Sequence, residues 1–209
     1  MAERGGRGRG QLAREGRDGF VLFSEEESNR PNVQYLSGVT GSFAIVLITA
    51  ERTALITDNR YFLRAGEESE FELVKMADRD PWPHLEGLLG ELSVRRLGFE
   101  ADRLTVDKYL RLGRLGLDLV GSEALVKRLR AVKDEAELAC LRKAAEIASR
   151  AFDGFYPGIR AGVSEAELAA ELVHAMRRLG AEQPVKGRFV VASGRRGASP
   201  HGVFTDKKV

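Results

Sequence analysis

The chain has 209 residues, enough for one large or two modest domains with a buried core. Apolar residues make up 43% and charged residues 31%, typical of a globular protein in water, and a net charge of +2 argues against nucleic-acid or membrane binding. One cysteine excludes an intramolecular disulfide and fits a reducing cytoplasm, and no apolar run reaches the ~20 residues that span a bilayer.

The first 17 residues are rich in arginine and glycine and have no apolar leader core. Arginine and glycine repeats can bind RNA electrostatically. A short segment with so few apolar residues is more typical of a solvated, disordered tail. We therefore predict a disordered basic tail over residues 1–17 and expect no nucleic-acid partner.

Residues 18–122 are predicted to form an α/β domain, because strand and helix patterns alternate from Phe71 onward and the domain closes near Gly121 and Ser122. Asp58 is expected to cap a helix that Gly66 ends, and Pro83 opens a helix whose leucines face inward. A third helix is predicted over residues 105–115. The predicted strands cover residues 20–23, 43–48, 53–56, 71–76, 96–99 and 117–120.

Residues 123–133 are predicted to form a connecting helix that holds the domain boundary, and residues 134–209 form a second domain. Asp134 is a plausible N-cap for a long helix, and Cys140 is expected to be a small core residue. Ser164 and Glu167 have capping-box spacing, which predicts the start of the next helix. The first helix has one continuous apolar stripe, formed by Leu138, Leu141, Ala145, Ala148 and Phe152.

Near the end of the chain, the sequence presents a histidine on a loop. Residues 187–192 are predicted to form a strand, which Ser193 and Gly194 end. The following loop places His201 between Pro200, which fixes its own φ, and Gly202, which removes side-chain bulk. A histidine held in this way suits contact with a ligand, and an ordinary exposed loop histidine is the alternative interpretation.

The segment 191–209 resembles the start of the active site of proline-specific metallopeptidases, the family of aminopeptidase P and prolidase. The motifs that match are Ala192-Ser193-Gly194, His201-Gly202 and Thr205-Asp206. Upstream, Tyr35, Leu36, Gly38, Thr57, Asp58, Arg60 and Tyr61 match signatures of the creatinase-type N-terminal domain. The resemblance implies an α/β creatinase-type domain over residues 18–122, followed by the first part of an α+β pita-bread domain over residues 134–209.

The resemblance also implies roles for residues and metals. His201 would contact the substrate and stabilise the transition state. The complete enzymes of the family use two divalent ions (Mn, Co or Zn) held by two Asp, one His and two Glu, and these ligands would follow Val209. Asp206 does not match a ligand position, and His84, His174 and Cys140 have no ligand spacing. We therefore expect this chain to bind no metal and, by itself, to be inactive.

The expected function is that of a cytoplasmic Xaa-Pro peptidase, truncated before its metal ligands, with proline-containing peptides as substrates. The family also implies a homo-oligomer, such as a dimer, formed through the N-terminal domain. Two alternatives stay open: an inactive pita-bread module that binds peptides or proteins, and creatinase-like amidine hydrolysis. Half of a pita-bread would expose a strand edge at residues 189–192 and an apolar helix face, so the chain is expected to pair with itself or another chain, or to be loosely ordered near its C-terminus.

Overall fold

The computed structural model describes residues 16–26, 28–182 and 189–209. The chain divides into two compact units, Met1–Val132 (unit 1) and Lys133–Val209 (unit 2). Most of the predicted basic tail, residues 1–15, lies outside the described residues. None of the helices in the described ranges combines the length and apolarity needed to cross a membrane.

Unit 1 is built on a six-stranded mixed sheet, whose strands are β1 (Gly19–Glu25), β2 (Phe43–Thr49), β3 (Thr53–Thr57), β4 (Glu72–Lys75), β5 (Arg96–Glu100) and β6 (Asp118–Ser122). The strand order is β4-β3-β2-β1-β5-β6. Strand β2 runs antiparallel to its neighbours β1 and β3, and the other neighbouring pairs are parallel. The predicted α/β class is confirmed.

Both faces of this sheet are buried. In β2, Ile45 and Leu47 face a cluster that includes leucines of the helix Trp82–Glu91, and Val46 faces a second cluster on the other side of the sheet. Burial on both faces explains why β2 is apolar throughout instead of alternating with polar residues. The helices of unit 1 are α1 (Arg30–Ser37), α2 (Phe62–Glu68), α3 (Trp82–Glu91), α4 (Val106–Gly113) and α5 (Leu125–Ala131).

The predicted bounds of α2 are wrong at both ends. Asp58 does not cap this helix, because its carboxylate accepts hydrogen bonds from the backbone and the guanidinium of Arg60. The helix begins after Tyr61 and continues through Gly66 to Glu68. The local contact between Asp58 and Arg60 therefore replaces the cap that the sequence pattern indicated.

A buried polar network attaches α5 to the sheet of unit 1. The Glu100 carboxylate is 3% exposed and accepts hydrogen bonds from Asn32 Nδ2 at 2.7 Å and from the backbone N–H of Val126 at 3.0 Å. Arg130 Nη1 donates to Asn32 Oδ1 at 2.7 Å. The connecting helix predicted over residues 123–133 is therefore observed as α5, and it packs against the sheet of unit 1.

Unit 2 contains two long helices, α6 (Glu135–Phe155) and α7 (Glu165–Arg178), and two 3₁₀ turns, Tyr156–Gly158 and Gly194–Ala198. Each long helix begins with a complete capping box, Asp134 with Glu137 and Ser164 with Glu167. Both predicted helix starts are confirmed, because the side-chain and backbone groups at each end satisfy one another as the spacing requires.

The apolar stripe of α6 is largely exposed in this chain. Leu141 is 53% and Phe152 50% exposed, and only Ala151 and Phe155 of this helix are buried. The expectation of an exposed apolar helix face is confirmed. Cys140 lies on the exposed surface of the same helix, so its prediction as a core residue is wrong. The sequence pattern shows which face of the helix is apolar. That face is buried only where another element packs on it, and the described residues provide little such cover here.

Candidate functional site

The candidate site of unit 2 is the segment 193–205, which we call the His201 loop. The strand predicted before it is not formed in the described residues. Val190 makes one isolated antiparallel bridge with Val203, and Phe189, Val191 and Ala192 are not in a strand. A strand needs a continuous row of backbone partners, and here only one position finds one. Residues 187 and 188 lie outside the described residues.

His201 is exposed in a tight turn within this loop. The backbone N–H of Ser199 donates to Arg196 O at 3.0 Å, and that of Gly202 donates to Ser199 O at 3.2 Å. A Cβ at position 202 would lie 3.1 Å from Ala192 Cβ, closer than a normal contact. The glycine after His201 thus allows this end of the turn to pack against the start of the loop.

Both ends of the His201 loop are bound by one side chain, Glu165, the first residue of α7. Its Oε1 accepts hydrogen bonds from Ser193 N at 2.8 Å and Ser193 Oγ at 2.9 Å. Its Oε2 accepts hydrogen bonds from Thr205 N at 3.1 Å and Thr205 Oγ1 at 2.9 Å. The carboxylate is completely buried. A single acidic group therefore joins the two residues between which the loop runs.

The hydrogen bonds keep Glu165 ionised despite its burial. Burial alone would raise the pKa of Glu165, but the donors on Ser193 and Thr205 lower it to about 2. Arg196 Nη2 is 3.6 Å from Oε2 and also donates to Val203 O. The position of Glu165 in the first turn of α7 also favours a negative charge, because the helix dipole is positive there.

The last residues of the chain run beside the start of α7. The backbone N–H groups of Glu165 and Ala166 donate to Lys207 O and Thr205 O, each at 3.0 Å. These carbonyls satisfy two of the amides that a helix N-terminus leaves without internal partners. Lys207 Nζ donates to Ser193 O at 3.2 Å, which adds a second connection between the two ends of the loop.

Sequence reasoning missed the role of Glu165. The capping-box spacing identifies its neighbour Ser164 as a cap but assigns no role to Glu165. The available signal was an acidic residue followed at a distance by two hydroxyl residues, Ser193 and Thr205, each beside a loop end. Such a pattern becomes meaningful only when the fold brings the three residues together.

The residues that the structure describes do not fit a metal centre. In the ranges 16–26, 28–182 and 189–209, no three His, Cys, Asp or Glu side chains are grouped so that they could hold an ion. A structural or catalytic site needs at least three protein ligands at close range. No chemical step is therefore assigned to a metal on these residues.

The motif residues of unit 1 mainly stabilise its fold. The hydroxyls of Tyr61 and Ser42 lie 2.6 Å apart, and this hydrogen bond lowers the pKa of Tyr61. The hydrogen bond from the Arg60 guanidinium lowers the pKa of Asp58. Arg60 also lines a cavity of about 490 Å³ near the end of β1, together with Phe23, Phe43 and Lys108.

Each of the two units matches a known family of protein domains. Residues 4–132 match the family Creatinase/Prolidase N-terminal domain, and residues 139–209 match Metallopeptidase family M24. Because the first match alone covers more than half of the chain, this protein belongs to the creatinase/prolidase family of metallopeptidases.

Individual relatives agree with this assignment. The uncharacterized peptidase YqhT of Bacillus subtilis is 33% identical over 96% of this chain and 55% of its own length. The Xaa-Pro dipeptidase of Pyrococcus horikoshii is 30% identical over 87% of this chain and 51% of its own length. The crystal structure of X-Pro aminopeptidase from Thermotoga maritima aligns with a TM-score of 0.88 and 36% identity, over 98% of this chain and 57% of that one. The chain thus spans about half the length of these relatives.

Proposed function

We propose that this chain is the N-terminal portion of an Xaa-Pro metallopeptidase that hydrolyses the peptide bond preceding proline. The observation that carries the proposal is an exposed His201 on a loop bound at both ends by Glu165, within the segment that matches the M24 family. The names of the relatives, Xaa-Pro dipeptidase and X-Pro aminopeptidase, support proline-containing peptides as substrates. The exposed free thiol of Cys140 supports a reducing, cytoplasmic location.

In this proposal His201 is the group of this chain that touches the substrate. Its imidazole is exposed at a turn and can donate a hydrogen bond to the carbonyl oxygen before proline. A donor placed there stabilises negative charge as it develops on that oxygen. The dinuclear metal centre of the complete enzyme would supply the activated water, with its ligands on residues that this chain does not contain.

A chimeric enzyme tests the role of His201. We expect that replacing the matched part of the Thermotoga maritima aminopeptidase by this chain gives an enzyme that cleaves an X-Pro peptide with Mn²⁺ or Co²⁺. His201→Gln in that chimera should lower kcat/KM by about 100-fold or more, because one oxyanion donor is lost. His174→Gln is the matched control, since His174 is an exposed histidine on α7.

Two results would contradict this prediction. If the His201→Gln and His174→Gln chimeras retain equal activity, His201 does not contact the transition state. The isolated chain provides the second arm, because it should give no hydrolysis of Ala-Pro above a metal-only control. Turnover comparable to that of the intact Thermotoga enzyme would show that the chain carries its own metal ligands.

A protein-binding role is the second candidate, and the exposed apolar residues Leu141 and Phe152 of α6 favour it. An inactive chimera that still folds would support this candidate over the peptidase.

We also propose that the chain forms a homo-oligomer through unit 1. Light scattering should then give twice the mass of one chain, and Phe152→Lys in α6 should leave that mass unchanged. The reason is that a contact through unit 1 does not depend on the apolar face of α6. A monomeric wild type would contradict the proposal, and a Phe152→Lys monomer would assign the contact to α6.

A further inference from the structure

We propose that Glu165 is the positioning residue of the His201 loop: its carboxylate fixes both ends of the loop and so determines where the His201 imidazole lies. The inference rests on the proposed function for what His201 does to a substrate. The geometric part, that Glu165 orders the loop, rests only on the contacts of the described residues.

Four hydrogen bonds from the two ends of the loop converge on the carboxylate of Glu165. An ionised carboxylate has about four acceptor positions. In Glu165, each oxygen accepts the N–H and the hydroxyl of one residue, Ser193 on Oε1 and Thr205 on Oε2. The two ends of the loop are therefore held at the same point, which removes much of the conformational freedom of residues 194–204.

Burying the charged carboxylate of Glu165 costs free energy. A buried carboxylate is expensive, and a well-packed apolar residue often stabilises a core as well or better. The guanidinium of Arg196 lies 3.6 Å away through Nη2, and 41% of this side chain is exposed, so it compensates the charge only weakly. A retained buried charge of this kind is best explained by the geometry that it imposes on its donors.

Contacts within the loop connect its two fixed ends to His201. Arg196 donates to Val203 O, and Val190 forms its bridge with Val203, so the interior of the loop is bound to its own flanks. Gly202 packs against Ala192, which is next to Ser193. The residue after His201 therefore lies against the residue before the first Glu165 donor.

The test uses the whole chain and compares Glu165→Gln with Glu167→Gln. Glu167 lies in the same helical turn, but its carboxylate accepts hydrogen bonds from Ser164 and Lys208, which are both outside the His201 loop. In Glu165→Gln, amide exchange at Ser193 and Thr205 should be roughly 10-fold faster or more, because amide donors to a charged acceptor are lost. The imidazole resonances of His201, assigned with His201→Gln, should shift towards those of an unstructured histidine.

Two further measurements distinguish a positioning role of Glu165 from a general loss of stability in unit 2. The amide of Leu168, within α7, should keep its exchange rate in Glu165→Gln, and Glu167→Gln should leave the loop amides and His201 unchanged. The proposal is overturned if the loop and His201 are unaffected by Glu165→Gln. It is also overturned if Leu168 loses protection in parallel, or if Glu167→Gln has the same effect on the loop.

A second variant covers the case in which Glu165→Gln does not fold. Ser193→Ala with Thr205→Val keeps the carboxylate and removes only the two hydroxyl donors. It should speed exchange at the same amides by a smaller factor, and an unchanged loop would overturn the proposal.

The same samples separate this inference from the proposed function. Adding an Ala-Pro dipeptide should shift the His201 resonances of the wild type and shift them less in Glu165→Gln. If the wild-type resonances do not respond while the exchange results hold, the proposed substrate role of His201 fails and the positioning role of Glu165 stands. If the exchange results fail, the positioning role fails whatever the dipeptide does.

Discussion

Replacing Leu47 by alanine is expected to lower the free energy of unfolding of unit 1 by about 3 to 5 kcal/mol. Leu47 has no exposed surface and lies on β2, which is flanked by β1 and β3. Its side chain belongs to the cluster that α3 covers, so the lost methyl groups would leave a cavity that the flanking strands prevent from closing. A loss of this size is a large part of the stability of a typical domain.

Urea unfolding followed by tryptophan fluorescence measures this effect. The only tryptophan of the chain, Trp82, is buried in the same cluster, so its emission reports on unit 1. Leu63→Ala is the matched control, because Leu63 is 78% exposed and its replacement should change the free energy of unfolding by less than about 0.5 kcal/mol. Equal losses in the two variants would contradict the assignment of Leu47 to the core.

The second large effect is the loss of ordered structure in unit 2 at acid pH. Hydrogen bonds from Ser193 and Thr205 outweigh burial and lower the pKa of Glu165 to about 2, and those from Ser164 and Lys208 lower the pKa of Glu167 to about 2. Both carboxyl groups bind a proton less readily in the folded state than in the unfolded state, where the value is 4.5. Their stabilisation is therefore complete above about pH 4.5 and is lost as the pH falls through about 2.

Amide exchange at the residues that donate to the two carboxylates, measured from pH 5 down to about pH 2, tests this dependence. The wild type should lose protection at Ser193, Thr205 and Ser164 across this window after correction for the intrinsic exchange rate. A Glu165→Gln, Glu167→Gln double variant should start with less protection and show a flatter profile, because neither position can then titrate. Parallel profiles for the two proteins would assign the acid sensitivity to other groups.

The His201 loop illustrates how a local pattern can suggest a site without showing its geometry. The sequence predicts a loop that holds His201, because Pro200 fixes its own φ and Gly202 has no side chain. It also predicted a strand that the structure replaces with one bridge at Val190. The conformation of a turn is decided within a few residues, whereas a strand depends on backbone partners elsewhere in the fold.

Elsewhere the sequence by itself determined those features in which residues a few positions apart satisfy one another. Both capping boxes belong here, because Asp134 with Glu137 and Ser164 with Glu167 need only the helix geometry to meet. The apolar run of β2 belongs here too, since a strand buried on both faces has few polar positions.

Features that depend on residues far apart in the sequence were decided only by the tertiary structure. It showed that Glu165 joins Ser193 and Thr205, which are 28 and 40 positions away along the chain. It also showed that Cys140 and much of the α6 stripe are exposed. The physical reason is the same in both cases: a side chain's chemistry is local, but its burial and its hydrogen-bond partners depend on which remote segments pack beside it.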